Sequence, residues 1–160
     1  MANLEGLTKY KETLMKAICT STKIVDLVKC SGEELLSGRQ MMYHRVFPYW
    51  YVPDTSEDAQ TFICFDVDVG SARSEILNKM IIKIYVMCHQ DIMRLSNGGG
   101  MRIDVLASEI DKIMNGSTKF GLGKCELQSV TGFAPATKYY GREMRYVVND
   151  LTRSICGVLI

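Results

Sequence analysis

Met80-Ile-Ile-Lys-Ile-Tyr-Val-Met-Cys-His89 is the densest run of strand-forming residues in the chain. β-Branched and aromatic side chains suit a pleated, packed surface. A nearly continuous apolar run predicts burial on both faces, as in a central strand. Upstream, Thr61 to Val69 alternates, with Ile63, Phe65, Val67 and Val69 on one face and Phe62, Cys64, Asp66 and Asp68 on the other. Period two predicts a half-buried strand. Downstream of a glycine-rich loop (Ser96 to Gly100), Ile103, Leu106, Ala107, Ile110, Ile113 and Met114 recur at helical spacing. Asp104 sits in the first turn, where the helix dipole favours a carboxylate, and Asn115-Gly116 supplies the stop. A strand from Lys124 to Val130, a turn over Thr131 to Thr137 through Gly132 and Pro135, and a last strand from Glu143 to Val148 complete the pattern. Two hairpin-linked strand pairs flanking a helix predict an α+β fold with a mostly antiparallel four-stranded sheet.

The N-terminal part, residues 1–38, reads as helical. Leu4, Leu7, Leu14, Ala17 and Ile18 fall near one stripe of a helix from Leu4 to Cys19. Cys19 to Thr22 is a weak point, because Ser and Thr compete for backbone hydrogen bonds, and Ile24, Val25, Leu27 and Val28 then resume the apolar character. Ser31-Gly32 ends the helix, and Glu33 to Leu36 suggests one more helical turn. Met41 to Tyr51 is a run of large side chains that Pro48 and Pro53 push toward extended geometry. Asp54 to Gln60 is a polar loop, and Gly70 to Lys79 is a connection between the first two strands. At 160 residues the expectation is one domain.

Lys plus Arg total 19 and Asp plus Glu 18, for a net charge of +1. That balance argues against a dedicated nucleic-acid coat, which carries a basic surplus. No apolar run approaches the ~20 residues that span a bilayer. The first residues lack a signal-peptide core, so a cytoplasmic, membrane-free location is expected. Six cysteines are scattered without a Cys-x-x-Cys pair, which removes the common zinc spacing and leaves reduced, packed thiols as the expectation.

Signals for chemistry are sparse. His44 and His89 are the only histidines. His89 and its neighbour Cys88 point to opposite faces of a strand and cannot form a nucleophile–base pair. Asp66 and Asp68 share a strand face ~7 Å apart and could hold Mg²⁺ if a third carboxylate converged. That leaves a small metal-dependent nuclease as an alternative to the simpler reading, a solvated face. Gly98 to Gly100 precedes a helix but lacks the phosphate-loop and dinucleotide patterns. Charge is uneven: residues 1–80 hold 9 basic and 11 acidic groups, residues 81–160 hold 10 and 7. Lys119, Lys124, Lys138, Arg142 and Arg145 lie near Tyr139 and Tyr140. Such a mixture can bind nucleic acid, the second alternative, a nucleic-acid-binding adaptor. It also suits a protein interface, where Tyr and Arg are enriched, and the low net charge favours the interface. The chain is therefore expected not to be an enzyme, and it offers no catalytic, cofactor or metal residues to assign.

The strand Ile81 to Met87, then MRIDVLASEIDKIMNGS (101–117), FGLGKCELQSV (120–130) and KYYGREMRYVV (138–148) together resemble bacteriophage tail terminator proteins, also called tail-completion or tail-to-head joining proteins. The likeness covers residues 60–150. It rests on the Arg-Ile-Asp helix start, the F-G-x-G-x-x-x-L strand entry and the Y-x-G-R-x-x-x-Y final strand. It implies an α+β subunit of a homo-oligomeric ring, a hexamer, that caps the tail tube and faces the head connector, with DNA passing through the lumen without specific binding. It implies a place in the virion tail or neck, assembled in the host cytoplasm, with tail tube protein and head-completion protein as partners. The interface residues expected on this reading are Tyr140, Arg142, Arg145 and Trp50. The apolar stretch Ile155 to Ile160 adds a surface that invites docking. The aromatic segment Val46 to Pro53 and the six cysteines are not features the family requires.

Overall fold

The computed structural model describes residues 5–29, 36–53, 59–72 and 77–151. The helical turn expected around Glu33, Cys30 and Cys156, and the apolar stretch from Ile155 lie outside them. The elements are α1 (Glu5–Thr20), α2 (Thr22–Val28), α3 (Gly38–Met41), β1 (Val46–Phe47), β2 (Thr61–Ala72), β3 (Leu77–His89), a 3₁₀ turn (Gln90–Ile92), α4 (Arg102–Met114), β4 (Leu122–Ala136) and β5 (Tyr139–Leu151).

The α+β class holds, but the four-stranded antiparallel sheet does not. The sheet has five strands in the order β1-β2-β3-β5-β4, and it is mixed. β1 runs parallel to β2, with Val46 beside Ile63 and Phe47 beside Cys64, while the other neighbours are antiparallel. The extra strand comes from the aromatic segment. Its two residues are too short to show a period, and Pro48 ends the pairing because it has no N–H to give.

Two other boundaries also move. The expected connection between Gly70 and Lys79 is mostly strand, since β2 runs to Ala72 and β3 starts at Leu77. The expected turn over Thr131 to Thr137 is the outer half of β4, and the reversal is the two residues Thr137 and Lys138, with Ala136 opposite Tyr139. Gly132 and Pro135 are tolerated because β4 is an edge strand. β3 is central as expected, yet its burial alternates along most of its length and becomes two-sided only at Val86, Met87 and Cys88.

One face of the sheet carries the main core. Ile63, Phe65, Val67, Ile82, Ile84, Val86, Met144, Tyr146 and Val148 pack beneath α1, α2 and α4. The α4 stripe Ile103, Leu106, Ala107, Ile110 and Met114 is buried as its spacing predicts. The weak point after Cys19 is a real break, where the Ser21 hydroxyl caps α2 by accepting the Ile24 N–H at 3.4 Å. Arg102 explains the Arg-Ile-Asp start in structural terms. Its guanidinium donates to the carbonyls of Leu27 and, at 2.9 Å, Ile92, tying α4 to the end of α2 and to the 3₁₀ turn. The F-G entry is also a packing device. Phe120 stacks on Tyr10 at 5.7 Å, and the Tyr10 hydroxyl donates to Asp150 at 2.7 Å. A Cβ on Gly121 would lie 2.6 Å from that hydroxyl oxygen.

Candidate interaction surface

Alternation along β5 decides where the expected interface residues point. Met144, Tyr146 and Val148 lie on the helix side, so Tyr140 and Arg142 share that side. Gly141, Glu143 and Arg145 lie on the other. The structure therefore divides the four expected residues instead of gathering them. Arg142 Nε donates to Asp104 Oδ1 of α4 at 2.8 Å, with both side chains well exposed. Arg145 holds Glu143 on its own strand at 3.4 Å. Tyr140 is 48% exposed.

Trp50 is on the open face of the sheet. The segment after β1 folds back across that face and sets the indole edge-on to Tyr85 at 4.7 Å and near Phe133 of β4 at 5.8 Å. Beneath it Phe47, Phe62, Cys64, Met87 and Tyr139 form a second, smaller buried cluster. Phe47 stacks on Tyr51 at 4.1 Å. Trp50, Tyr49 and Val52 nonetheless stay about half exposed. This aromatic lid was not foreseeable from spacing, since it joins residues from β1, β3, β4 and a loop.

Below the lid the open face is charged. Asp66 bonds Lys11 of α1 at 3.0 Å, and Asp68 bonds Lys83 at 2.7 Å. The Asp68 hydrogen bond also pushes the Lys83 pKa up. The two carboxylates do share a face, as expected, but each is answered by a lysine. Among the described residues no three His, Cys, Asp or Glu side chains gather closely enough to hold a metal ion. His89 caps the 3₁₀ turn, its Nδ1 accepting the Asp91 N–H at 3.1 Å. The loop before α4 closes on itself, with Leu95 N–H donating to Gly100 O and Gly99 N–H to Asn97 Oδ1. Cys19, Cys64, Cys88 and Cys125 are buried and outside any disulfide, and burial raises the pKa of Cys19 and Cys64 to about 11 and of Cys125 to about 12.

β4 is exposed over most of its length. Along its outer half only Phe133, Pro135 and Ala136 are even partly buried. Val130, 46% exposed, lies with Leu127 and Met144 in a groove beside α4 that Asp104 and Arg142 close at one end. Exposed apolar groups on both faces of an edge strand suit contact with another protein chain. Sequence reading missed this feature because it placed a turn there. Among the described residues, no helix is long and apolar enough to cross a membrane.

No curated protein matches the chain. A family model does match, that of YomW, across residues 12–148, which takes in every described element from within α1 to the body of β5. The chain belongs to the YomW family and is a phage-related protein.

Proposed function

We propose that the chain is a structural component of a phage particle, closing into a ring that caps the tail tube and joins it to the head connector. The observation that carries this reading is the outer half of β4. It is an uncharged strand edge flanked by Val130 on one face and by Phe133 and Trp50 on the other, a surface that a second chain would cover. A ring forms when one patch binds a different patch on the next copy and the rotation closes. The phage-related family and the resemblance of residues 60–150 to tail terminators support the same reading. On this reading the lumen passes DNA without reading its sequence, the ring is a hexamer, and assembly takes place in the host cytoplasm.

Native mass measurement tests it, with the chain alone and then mixed with tail tube protein. The expected result is a hexameric species in at least the mixture, together with arrest of tube growth. A strictly monomeric chain in both samples overturns the proposal.

A further inference from the structure

The chain holds two Asn-Gly pairs, Asn97-Gly98 before α4 and Asn115-Gly116 after it. Asparagine is a chemically labile residue, most of all before glycine. There the main-chain nitrogen of the glycine can attack the asparagine Cγ, and the missing Cβ leaves the approach unhindered. Both asparagines are exposed, so access to water does not separate them. Both glycines take a left-handed φ, 73° at Gly98 and 79° at Gly116. A Cβ at either would meet nothing within 4 Å among the described residues. What differs is how the reacting groups are held.

Asn115 and Gly116 are tied to β4. Gly116 N–H donates to Cys125 O at 2.7 Å, beside the bond from Cys125 N–H to Ser117 O at 2.9 Å. Asn115 Oδ1 accepts the Leu127 N–H at 3.4 Å. Cys125 is fully buried, so the acceptor of the Gly116 N–H is fixed. To react, this pair must break a hydrogen bond of good length and leave the strand.

Asn97 and Gly98 are held only by their own loop. Ser96 to Gly100 are all exposed. Gly98 N–H donates to Leu95 O at 3.3 Å, longer than the usual range. Asn97 Oδ1 accepts the Gly99 N–H at 2.9 Å. That oxygen takes up negative charge when Cγ is attacked, and a donor already lies where the charge develops. A Cβ on Gly99 would come within 2.8 Å of Asn97 Oδ1, so glycine at 99 permits this contact.

We infer that Asn97 is a site of spontaneous deamidation in the folded chain, while Asn115 is protected by its bonds to β4. Gly98 N loses its proton to solvent base and forms a bond to Asn97 Cγ. The bond from Cγ to Nδ2 breaks, and Nδ2 takes up protons from water and leaves as ammonia. Water then opens the five-membered imide at either carbonyl, which gives aspartate or isoaspartate at position 97. No oxidant or reductant takes part. The chain gains one carboxylate, so its formal net charge falls from +1 to zero. In the isoaspartate product the main chain passes through Cβ and Cγ and is lengthened. The change falls in the loop that leads to Arg102, whose guanidinium ties α4 to Leu27 and Ile92.

The test uses the full-length chain in water enriched in heavy oxygen, at about pH 8, below the alkaline range in which buried thiols and tyrosines weaken the fold. Peptide mass spectrometry follows the labelled acid at positions 97 and 115, in native buffer and in urea. In urea the two pairs should react at similar rates. In the native chain position 115 should lag position 97 by about tenfold or more, because its hydrogen bonds must first open. Labelling at 115 as fast as at 97 in the native chain overturns the inference. So does a native chain that stays unlabelled at 97 while both positions react in urea. The ring reading is untouched by either outcome, since no contact between copies enters the argument.

Discussion

The ring of Phe133 on β4 occupies the space that a side chain at Gly141 on β5 would need. The two residues are directly paired, and a Cβ built on Gly141 would come within 2.7 Å of Phe133 Cε1 and 2.3 Å of Val86 O. Gly141 is therefore required by close approach, not by an unusual backbone angle, since it is absent from the residues with positive φ. An aromatic ring laid across a strand glycine is a known way to pin register. The chain uses it where the hairpin meets the aromatic lid.

Gly141→Ala should therefore be costly. One of the clashing atoms is a backbone oxygen on the central strand and cannot swing away. Overpacking of this kind typically costs about 1–3 kcal/mol, visible as a lowered urea midpoint. Gly132→Ala is the matched control on the same hairpin. Its Cβ would first meet the flexible end of Arg142 at 3.2 Å, so the midpoint should barely move. Equal losses at the two glycines would mean that Phe133 does not pack across Gly141.

The α4 stripe gives a second contrast. Leu106 and Ile110 are fully buried between helix and sheet. Replacing either with Ala should cost about 2–5 kcal/mol by lost contacts and residual cavity. Glu109, one residue before Ile110, lies off the buried stripe with its side chain largely covered, and it bonds the exposed Lys112 at 2.7 Å. Glu109→Gln should leave the midpoint where it is. Comparable destabilisation at Glu109 and Ile110 would show that the helix is turned differently on the sheet.

How much of this was legible in the sequence depends on how local each signal is. Ile103 to Met114 and Thr61 to Val69 repeat their period long enough to fix type and facing, and both were read correctly. β1 has only Val46 and Phe47, and the residues it pairs with, Ile63 and Cys64, lie seventeen positions on, so no local pattern marks it. Gly132 and Pro135 carry turn chemistry but sit in an edge strand, where neither is forbidden. The real turn, Thr137-Lys138, lacks the usual residues, and Lys138 takes a left-handed φ of 65°. Arg142 and Arg145 are an odd number of residues apart, so a strand had to send them to opposite faces. Grouping them as one patch ignored a constraint that was already readable. Trp50 over Tyr85 and Phe133 depends on the path of a whole loop, which spacing does not encode.

The buried thiols fix the direction of a pH dependence. Burial raises Cys19 and Cys64 from an ordinary 9.0 to about 11, and Cys125 to about 12. Burial also raises Tyr10 and Tyr146, helped by their hydrogen bonds to Asp150 and Asp111. The folded state keeps these protons after the unfolded chain has released them. Their contribution is therefore complete below about pH 9 and is lost as pH rises toward the folded values. The urea midpoint should hold steady from pH 7 to about 8.5 and fall between about 9 and 11. At neutral pH the native chain should leave these three buried thiols unlabelled by a thiol reagent until it is unfolded, because the thiolate is the reactive form. A midpoint that rises across that alkaline range would contradict the burial of these groups.

Arg142 is the residue where folding and assembly separate most cleanly. Its ion pair with Asp104 is exposed at both ends, with side chains 37% and 46% accessible. Pairs of that kind contribute about 0–1 kcal/mol, so Arg142→Ala should shift the unfolding midpoint only slightly. The same side chain closes one end of the groove that Val130 and Met144 line beside α4, next to the open edge of β4. A guanidinium there can keep Asp104 on one side of its planar fork and offer the other to a carboxylate or carbonyl of an incoming chain. Arg142→Ala should therefore weaken the assembled species, and raising the salt concentration should weaken the parent assembly more than that of the variant, since the variant has lost the screened contact. Arg142→Lys should restore part of the loss through its charge but not the planar fork. The measurement is the fraction of assembled chain in native mass spectra across a salt series, read beside urea midpoints of the same samples. If Arg142→Ala assembles as fully as the parent chain at every salt concentration, Arg142 serves only its bond to Asp104, and the assembly contact lies elsewhere on the molecule.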